Sequence, residues 1–199
     1  MPAEKEFSTQ ESLQLISAMI SKAKDEYIET GVSALMWGGI ITFCSLVSLF
    51  NWIFLKWMWL DAIWLLTFLA VIPQIVIARK EKKMRKFKGH DDNFRGGIWI
   101  SFAISTFLLN YIVVRYQLVD MQISLFLILY GIPTFAIGYA KKFRFMIIGG
   151  IACWIFSVLS TFTPSPWQLL YLAGGAQLAW FIPGLILRKR YLKIRNKNV

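Results

Sequence analysis

Hydrophobic positions along the chain form six long runs, separated by short polar or basic segments. The runs cover roughly residues 32–52, 58–78, 98–114, 121–140, 145–162 and 168–187. An α-helix rises about 1.5 Å per residue, so each run is long enough to cross about 30 Å of hydrocarbon. The pattern therefore predicts an all-α, polytopic membrane protein with six transmembrane helices.

The first, third and fifth runs share a glycine pair, which is followed by small residues at four-residue spacing: GGIITFCS, GGIWISFA and GGIACWIF. Small residues in such an arrangement let helix backbones approach closely in lipid. We therefore predict close helix packing at five positions. These are Gly38, Gly97, Ser101, Gly149 and Cys153.

The second, fourth and sixth runs share an Ile-Pro pair that precedes a basic cluster; the prolines are Pro73, Pro133 and Pro183. Proline lacks an N–H and bends a helix, so a backbone carbonyl is left without its donor and needs another partner in lipid. Polar residues lie close to each proline: Gln74, Thr134 and Gln177. Two interpretations stay open. The polar side chains satisfy the bent backbone, or they form a candidate polar binding site at the kinks.

The two alternating motifs predict that the domain at 32–187 consists of three tandem helical hairpins, at about 32–78, 98–140 and 145–187. A hairpin returns the chain to the side of the membrane from which it started. Successive hairpins therefore share one orientation and are related by an axis along the membrane normal. We expect a compact bundle with approximate three-fold character.

The distribution of charge predicts the orientation of the chain. The formal net charge is +11, and 20 of the 22 Lys and Arg residues lie in the head, in the segments 79–97 and 141–144, and in the tail 188–199. Only Lys56 and Arg115 lie in the intervening loops. By the positive-inside rule, both termini are cytoplasmic. The basic segments then favour the anionic headgroups of the lipid bilayer, and nucleic acid is not a predicted partner.

The head, residues 1–31, is predicted to contain a cytoplasmic amphipathic helix. Leu13, Ile16, Ile20, Ala23 and Tyr27 recur at helical spacing between residues 8 and 30. Such an apolar stripe packs beneath the bundle, lies at the membrane surface or binds a partner. The sequence leaves these three alternatives open.

Acidic residues are almost absent from the spans. Asp61 and Asp120 each lie at the outer start of an even-numbered helix. A carboxylate at that place is expected to cap free backbone N–H groups and to meet the positive end of the helix dipole. Proton or cation coupling would need an acidic group deeper in the bundle.

Catalytic motifs are not visible in the sequence. His90, the only histidine, lies beside two aspartates in a predicted loop, and one such cluster is weak evidence for a metal site. No Ser–His or Cys–His nucleophile pair is evident, and Cys44 and Cys153 are expected to be free packing residues. We predict no enzymatic activity, no cofactor and no metal.

Several segments, taken in order, resemble a family of small bacterial six-helix membrane proteins of unknown function. The segments are ESLQLISAMISKAK, LMWGG, LYGIPTF, KFRFMIIGGIACWI and FIPGLILRKR. The resemblance implies a protein of the bacterial inner membrane. Members of such families are often encoded near winged-helix transcription regulators, which implies a sensory or regulatory role. The family offers no catalytic or binding residues to transfer to this chain.

The predicted function is that of a structural, interaction or regulatory membrane component. Its N-terminal helix and basic loops would face a protein partner. The alternative is a small transporter or channel for a solute or lipid, which would use a cavity at the level of the prolines. Because six short helices leave little room for a pore in one protomer, that alternative requires a homo-oligomer.

Overall fold

The structure, a computed structural model, describes residues 10, 13–17, 19, 30–84 and 90–197, excluding the side chains of residues 84, 90–93, 95 and 197. Within these ranges every element of secondary structure is helical. Six helices, α1 to α6, are long and apolar enough to span a membrane. The prediction of six helices with the length and apolar composition of membrane spans is confirmed.

The six helices differ in regularity. Helix α1 consists of the α-helix Val32–Phe50 and the π-helical turn Asn51–Leu55. Helix α2 consists of the 3₁₀ segment Met58–Trp64 and the α-helices Leu65–Leu69 and Val71–Met84. Helix α3 is His90–Tyr116. Helix α4 consists of the 3₁₀ turn Val119–Met121 and the α-helix Gln122–Ala140, and α5 is Arg144–Thr161. Helix α6 consists of the α-helix Gln168–Ala176, the π-helical turn Gln177–Phe181 and the α-helix Ile182–Lys197.

Three helices continue beyond the predicted spans at the end of the bundle where Arg79, Lys142 and Arg190 lie, which we call the basic end. Most of the predicted loop at 79–97 is helical, because α2 runs to Met84 and α3 already begins at His90. The predicted tail at 188–199 continues α6 without a break as far as Lys197. Lys, Arg and Glu are good helix formers, so a helix can extend past its apolar stretch.

Helices that follow one another along the chain pack together, with one exception. Contacts join α1 to α2, α3 to α4, α4 to α5, and α5 to α6, and α6 also packs against α1 and α4. Although α2 and α3 are consecutive, they hardly touch. Only 6% of the residues in the apolar stretches of α2 and α3 are buried, against 33–44% in the other four helices. The bundle therefore has an open seam between α2 and α3.

Two glycines bring α6 into backbone contact with its neighbours. A Cβ atom added to Gly38 of α1 would lie 2.6 Å from the backbone N of Phe181. A Cβ atom added to Gly149 of α5 would lie 2.7 Å from the Cα atom of Ala179. Since these neighbours are backbone atoms, no side-chain rotation relieves the clash. Both glycines lie in the kind of close helix contact that was predicted for them.

The matching positions of α3 are open. A Cβ atom added to Gly97 would meet nothing within 4 Å, and Ser101 is exposed. The close contact predicted for these two residues is therefore not made within the described chain. The physical reason is the rotation of α3, which turns Phe102 and the buried Val113 towards the bundle instead.

The centre of the bundle is apolar and closely packed. Leu127, Cys153 and Ala176, from α4, α5 and α6, are completely buried and belong to one cluster. Cys44 of α1 is also completely buried, and neither cysteine forms a disulfide. The prediction that both cysteines are free packing residues is confirmed.

The start of α1 contacts both α2 and α6 at the basic end. Gly31 has a φ of 71°, and a Cβ atom there would lie 2.9 Å from the backbone N of Arg188. Next to it, the buried Thr30 donates its hydroxyl hydrogen to the carboxylate of Glu81 on α2. The N-terminal head is therefore joined to the bundle at a point where α1, α2 and α6 meet.

The described part of the head is helical at residues 10, 13–17 and 19. Leu13, Leu15, Ile16 and Met19 are all exposed there. This part of the apolar stripe does not pack beneath the bundle. The rest of the predicted stripe, at residues 20–29, lies outside the described residues.

Asn51 stabilises the turn between α1 and α2 with two hydrogen bonds. Its Nδ2 donates to the carbonyl of Trp57, and its Oδ1 accepts from the Trp57 N–H, both at 2.9 Å. Asp61 accepts a longer hydrogen bond from Asn51 and makes no capping bond, and α4 likewise starts without a side-chain cap from Asp120. The predicted caps are absent, because each aspartate lies inside the first 3₁₀ turn of its helix.

Candidate functional site

A hydrogen-bonded chain joins α6 to α4 beside Pro133. Trp180 Nε1 donates to Thr134 Oγ1 at 3.0 Å, and the same hydroxyl donates to the carbonyl of Tyr130 at 2.8 Å. Thr134 is completely buried. Its hydroxyl is therefore used once as an acceptor and once as a donor, and both partners belong to the protein.

A second chain joins α6 to α1. Gln177 Nε2 donates to Thr42 Oγ1 at 3.0 Å, and Thr42 Oγ1 donates to the carbonyl of Gly38 at 2.7 Å. Gln177 begins the π-helical turn that precedes the buried Pro183. A π-helical turn adds a residue to one turn of helix, which accommodates an irregularity such as proline.

Gln74, beside Pro73, belongs to a separate contact between α2 and α1. Its Oε1 accepts hydrogen bonds from Ser33 Oγ and from Trp37 Nε1, the latter at 3.0 Å. Pro73 itself is exposed and follows a break in α2 at Ala70. Thr134 is thus bound to α6, and Gln177 binds α6 to α1, whereas Gln74 joins α2 to α1 and is not brought to either of them.

Aromatic rings attach the loosely packed α3 to α6. The ring of Trp180 lies 4.6 Å from that of Tyr130, 6.2 Å from that of Phe102 and 6.4 Å from that of Trp99, measured between centroids. The sequence prediction missed Trp180. The sequence signal for it was a tryptophan inside a span, because Trp is normally found at the membrane interface. A buried indole N–H needs an acceptor, so such a Trp indicates a contact with another helix.

The sequence analysis also missed a cluster of serines between α4 and α5, at the end of this contact that is far from Pro133. Ser124 and Ser160 share a hydrogen bond of 2.6 Å, and Ser157 Oγ donates to the Ser124 carbonyl at 2.8 Å. All three side chains are buried. Serines three residues apart on one helix, opposite another serine, were the available signal for a polar helix contact.

The polar groups inside the bundle are neutral, and they are used for helix contacts. Among the described residues, Ser45 Oγ is the one buried side-chain N or O atom without a partner. No group of three or more His, Cys, Asp or Glu residues is placed to hold a metal ion in that part of the chain. The arrangement fixes helices against one another, and it offers neither an acid–base pair nor a metal-ligand set.

The comparisons with known proteins add no functional assignment. No protein-family model matches the chain, and neither a curated protein nor a solved structure matches it. The function therefore has to be inferred from the geometry of the bundle and from its exposed surfaces.

Proposed function

We propose that the protein is an integral membrane component that acts by binding another membrane-spanning protein, and that it is neither an enzyme nor a carrier. The observation that carries the proposal is the unfilled small-residue face of α3. The glycine pairs of α1 and α5 each begin at a glycine that lies against the backbone of α6, whereas Gly96, Gly97 and Ser101 have no such neighbour among the described residues. Small residues support helix association in lipid, so a helix of a partner fits this face.

The alternative, a small transporter or channel, has less support. A path for a polar solute needs polar groups that are free to face it. The polar side chains at the level of the prolines instead bind each other, as in the pairs Trp180–Thr134 and Gln177–Thr42. A groove between α3 and α4 is lined by leucines, isoleucines and one serine, Ser105, and suits an apolar neighbour.

The proposal includes three tandem hairpins as the building unit, α1–α2, α3–α4 and α5–α6. Contacts within each pair support it, as do the strong contacts from α4 to α5 and from α6 to α1. In a closed ring of hairpins the third contact of this kind would join α2 to α3. The open seam lies at that place, so the ring of hairpins is not closed within the described chain.

The proposal also places the basic end in the cytoplasm of a bacterium, with both termini on that side of the inner membrane. The exposed apolar side chains of the head, Leu13 and Ile16 among them, would then form a second contact surface. A partner on that surface would act on the junction of the head with α1, α2 and α6, which gives the head a regulatory role.

Photo-crosslinking in native membranes tests the proposed contact. A photoreactive benzophenone residue in place of Ser101 is expected to form a discrete protein adduct, and Gly97→Val is expected to remove that adduct without unfolding the protein. The same residue in place of Phe107, which is 71% exposed on a different side of α3, is the matched control and is expected to react with lipid. Lipid adducts alone at both positions would contradict the proposal.

A flux assay separates this function from the alternative. Vesicles that contain the purified protein are expected to retain potassium ions and small polar dyes as well as protein-free vesicles do. Flux above that background that is reduced by Gln177→Ala would support the transporter instead, because Gln177 lies at the level where its cavity was expected.

A further inference from the structure

Basic side chains from two distant parts of the chain meet at the turn between α4 and α5. The guanidinium carbon of Arg190, near the end of α6, lies 5.2 Å from the centre of the Phe143 ring. Phe143 is buried and lies between Lys142 and Arg144 in the sequence, and these two residues are exposed. The contact therefore brings Arg190 to the turn that carries Lys142 and Arg144. We call Lys142, Arg144 and Arg190 the basic triad.

Within the part of the chain that the structure describes, the triad has no anionic partner. No carboxylate among the described residues pairs with any of its three side chains, and the first turn of α5 contains no acidic residue. Cations held close together repel one another, and the repulsion grows in the low dielectric environment beside a membrane. A bound anion would relieve it. The uncapped first turn of α5, with its free backbone N–H groups, adds to the preference for an anion.

The backbone of the turn holds Lys142 in an unfavourable conformation. Phe143 N–H donates to the Gly138 carbonyl at 2.8 Å, and Lys142 N–H donates to the Tyr139 carbonyl at 3.1 Å. These two bonds form a Schellman motif, which requires a left-handed residue, and Lys142 accordingly has a φ of 52°. Glycine is the usual residue at such a position because it carries no Cβ atom. Gln117 ends α3 in the same motif with a φ of 56°, so Lys142 is distinguished by its charge and not by its conformation.

The surroundings place the triad at the level of lipid headgroups. It lies where the spans α4 and α5 end, and the exposed side chains of Tyr139, Phe145 and Ile148 lie next to it on these helices. Apolar and aromatic side chains beside a cluster of cations match a lipid, whose phosphate and acyl chains are joined. A dissolved phosphate ion would use only the cations.

We infer that the basic triad is a binding site for the phosphate of an anionic lipid headgroup. Arg190 is held in place by its contact with Phe143, and its planar guanidinium is suited to bind two phosphate oxygens at once. Lys142 and Arg144 approach from the turn. This site is distinct from the proposed protein contact on α3, and it does not depend on that proposal.

Lipid binding to the full-length protein tests the inference. Protein in a neutral detergent is titrated with phosphatidylglycerol, with phosphatidylcholine and with inorganic phosphate, and bound lipid is counted by native mass spectrometry. The variant Lys142→Gln/Arg144→Gln/Arg190→Gln is expected to bind phosphatidylglycerol roughly tenfold more weakly than the parent, because three charge-assisted contacts are lost. Phosphatidylcholine is expected to bind weakly to both proteins.

The matched control removes the same charge from the basic end of α2. Arg79→Gln/Lys80→Gln/Lys83→Gln is expected to keep the parental affinity for phosphatidylglycerol. An equal loss in both triple variants would overturn the inference in favour of a general charge effect, and so would an unchanged affinity in the triad variant. If inorganic phosphate competed as strongly as the lipid, the site would be one for a free anion, which would also overturn it.

Two single-site comparisons remain informative if the triple variant does not fold. Arg190→Lys keeps the charge but loses the planar group, so it is expected to weaken lipid binding while the protein stays folded. Lys142→Gly and Lys142→Gln remove the same charge, and both are expected to weaken binding equally. Only Lys142→Gly relieves the left-handed backbone, so it is expected to melt at the higher temperature of the two. A purely structural Lys142 would change stability without changing lipid affinity, which would contradict its assigned role.

Discussion

Valine in place of Gly149 is expected to destabilise the protein by about 3 kcal/mol or more and to abolish its folding in a marginal detergent. A Cβ atom at this position would already lie 2.7 Å from the Cα atom of Ala179. Valine adds two further methyl groups, and α5 would have to move away from α6 to make room. The melting temperature and the elution profile on size exclusion, both measured in detergent, report this loss.

Gly97→Val is the matched control, since it makes the same substitution in the glycine pair of α3. No atom lies within 4 Å of a Cβ atom placed there, so the melting temperature is expected to change little. Equal destabilisation by the two variants would contradict the open face of α3. It would also remove the ground for placing a partner there.

Alanine in place of Trp180 is expected to have the second large effect, a destabilisation of about 3–5 kcal/mol. The substitution removes the hydrogen bond to Thr134 and leaves a cavity where the indole contacted Tyr130. It also removes the ring contacts that hold Phe102 and Trp99 of α3 near α6. The melting temperature measures the total loss, and faster proteolysis around α3 would show that this helix detaches first.

Trp59→Ala is the control for this variant, because it deletes the same side chain where 84% of it is exposed. Its effect on stability is expected to stay within about 0.5 kcal/mol. A Trp180→Ala variant as stable as the control would show that the aromatic contacts do not hold the bundle together.

The spans could be predicted from the sequence because lipid leaves the backbone few alternatives. Helices satisfy their own polar groups, so a long apolar run is sufficient evidence for one. The fourth span, for example, was expected at 121–140 and lies at Val119–Ala140. The free, buried cysteines followed from the same pattern.

The packing of the spans could not be predicted in the same way. Gly38, Gly96 and Gly149 begin the three copies of one repeated motif, yet of these three only Gly38 and Gly149 lie against another helix within the described chain. A motif shows that a helix can be approached closely, whereas the rotation of each helix in the bundle decides whether it is. The extension of α2 and α3 into the predicted loop, to Met84 and from His90, was missed for a different reason. Hydropathy does not detect a helix that continues into water.

The candidate site was found in part. The prolines and their polar neighbours pointed to Thr134 and Gln177, which do make contacts between helices. Their partners, Trp180 and Thr42, lie 46 and 135 residues away along the chain. Such pairs depend on which helix faces meet, and one sequence alone does not contain that information.

The central claim is that six helices cross the membrane with all basic segments on one side, and labelling of single cysteines tests it most directly. A membrane-impermeant maleimide is applied to intact cells and to inverted vesicles, while Cys44 and Cys153 stay silent because they are completely buried. Cysteines in place of Lys80, Lys142 and Lys193 are expected to react only in inverted vesicles. Cysteines in place of Lys56, Gln117 and Ser165 are expected to react only in intact cells. If a cysteine of one set reacted in the preparation expected for the other set, the chain would cross the membrane a different number of times, and the account of the bundle would be wrong.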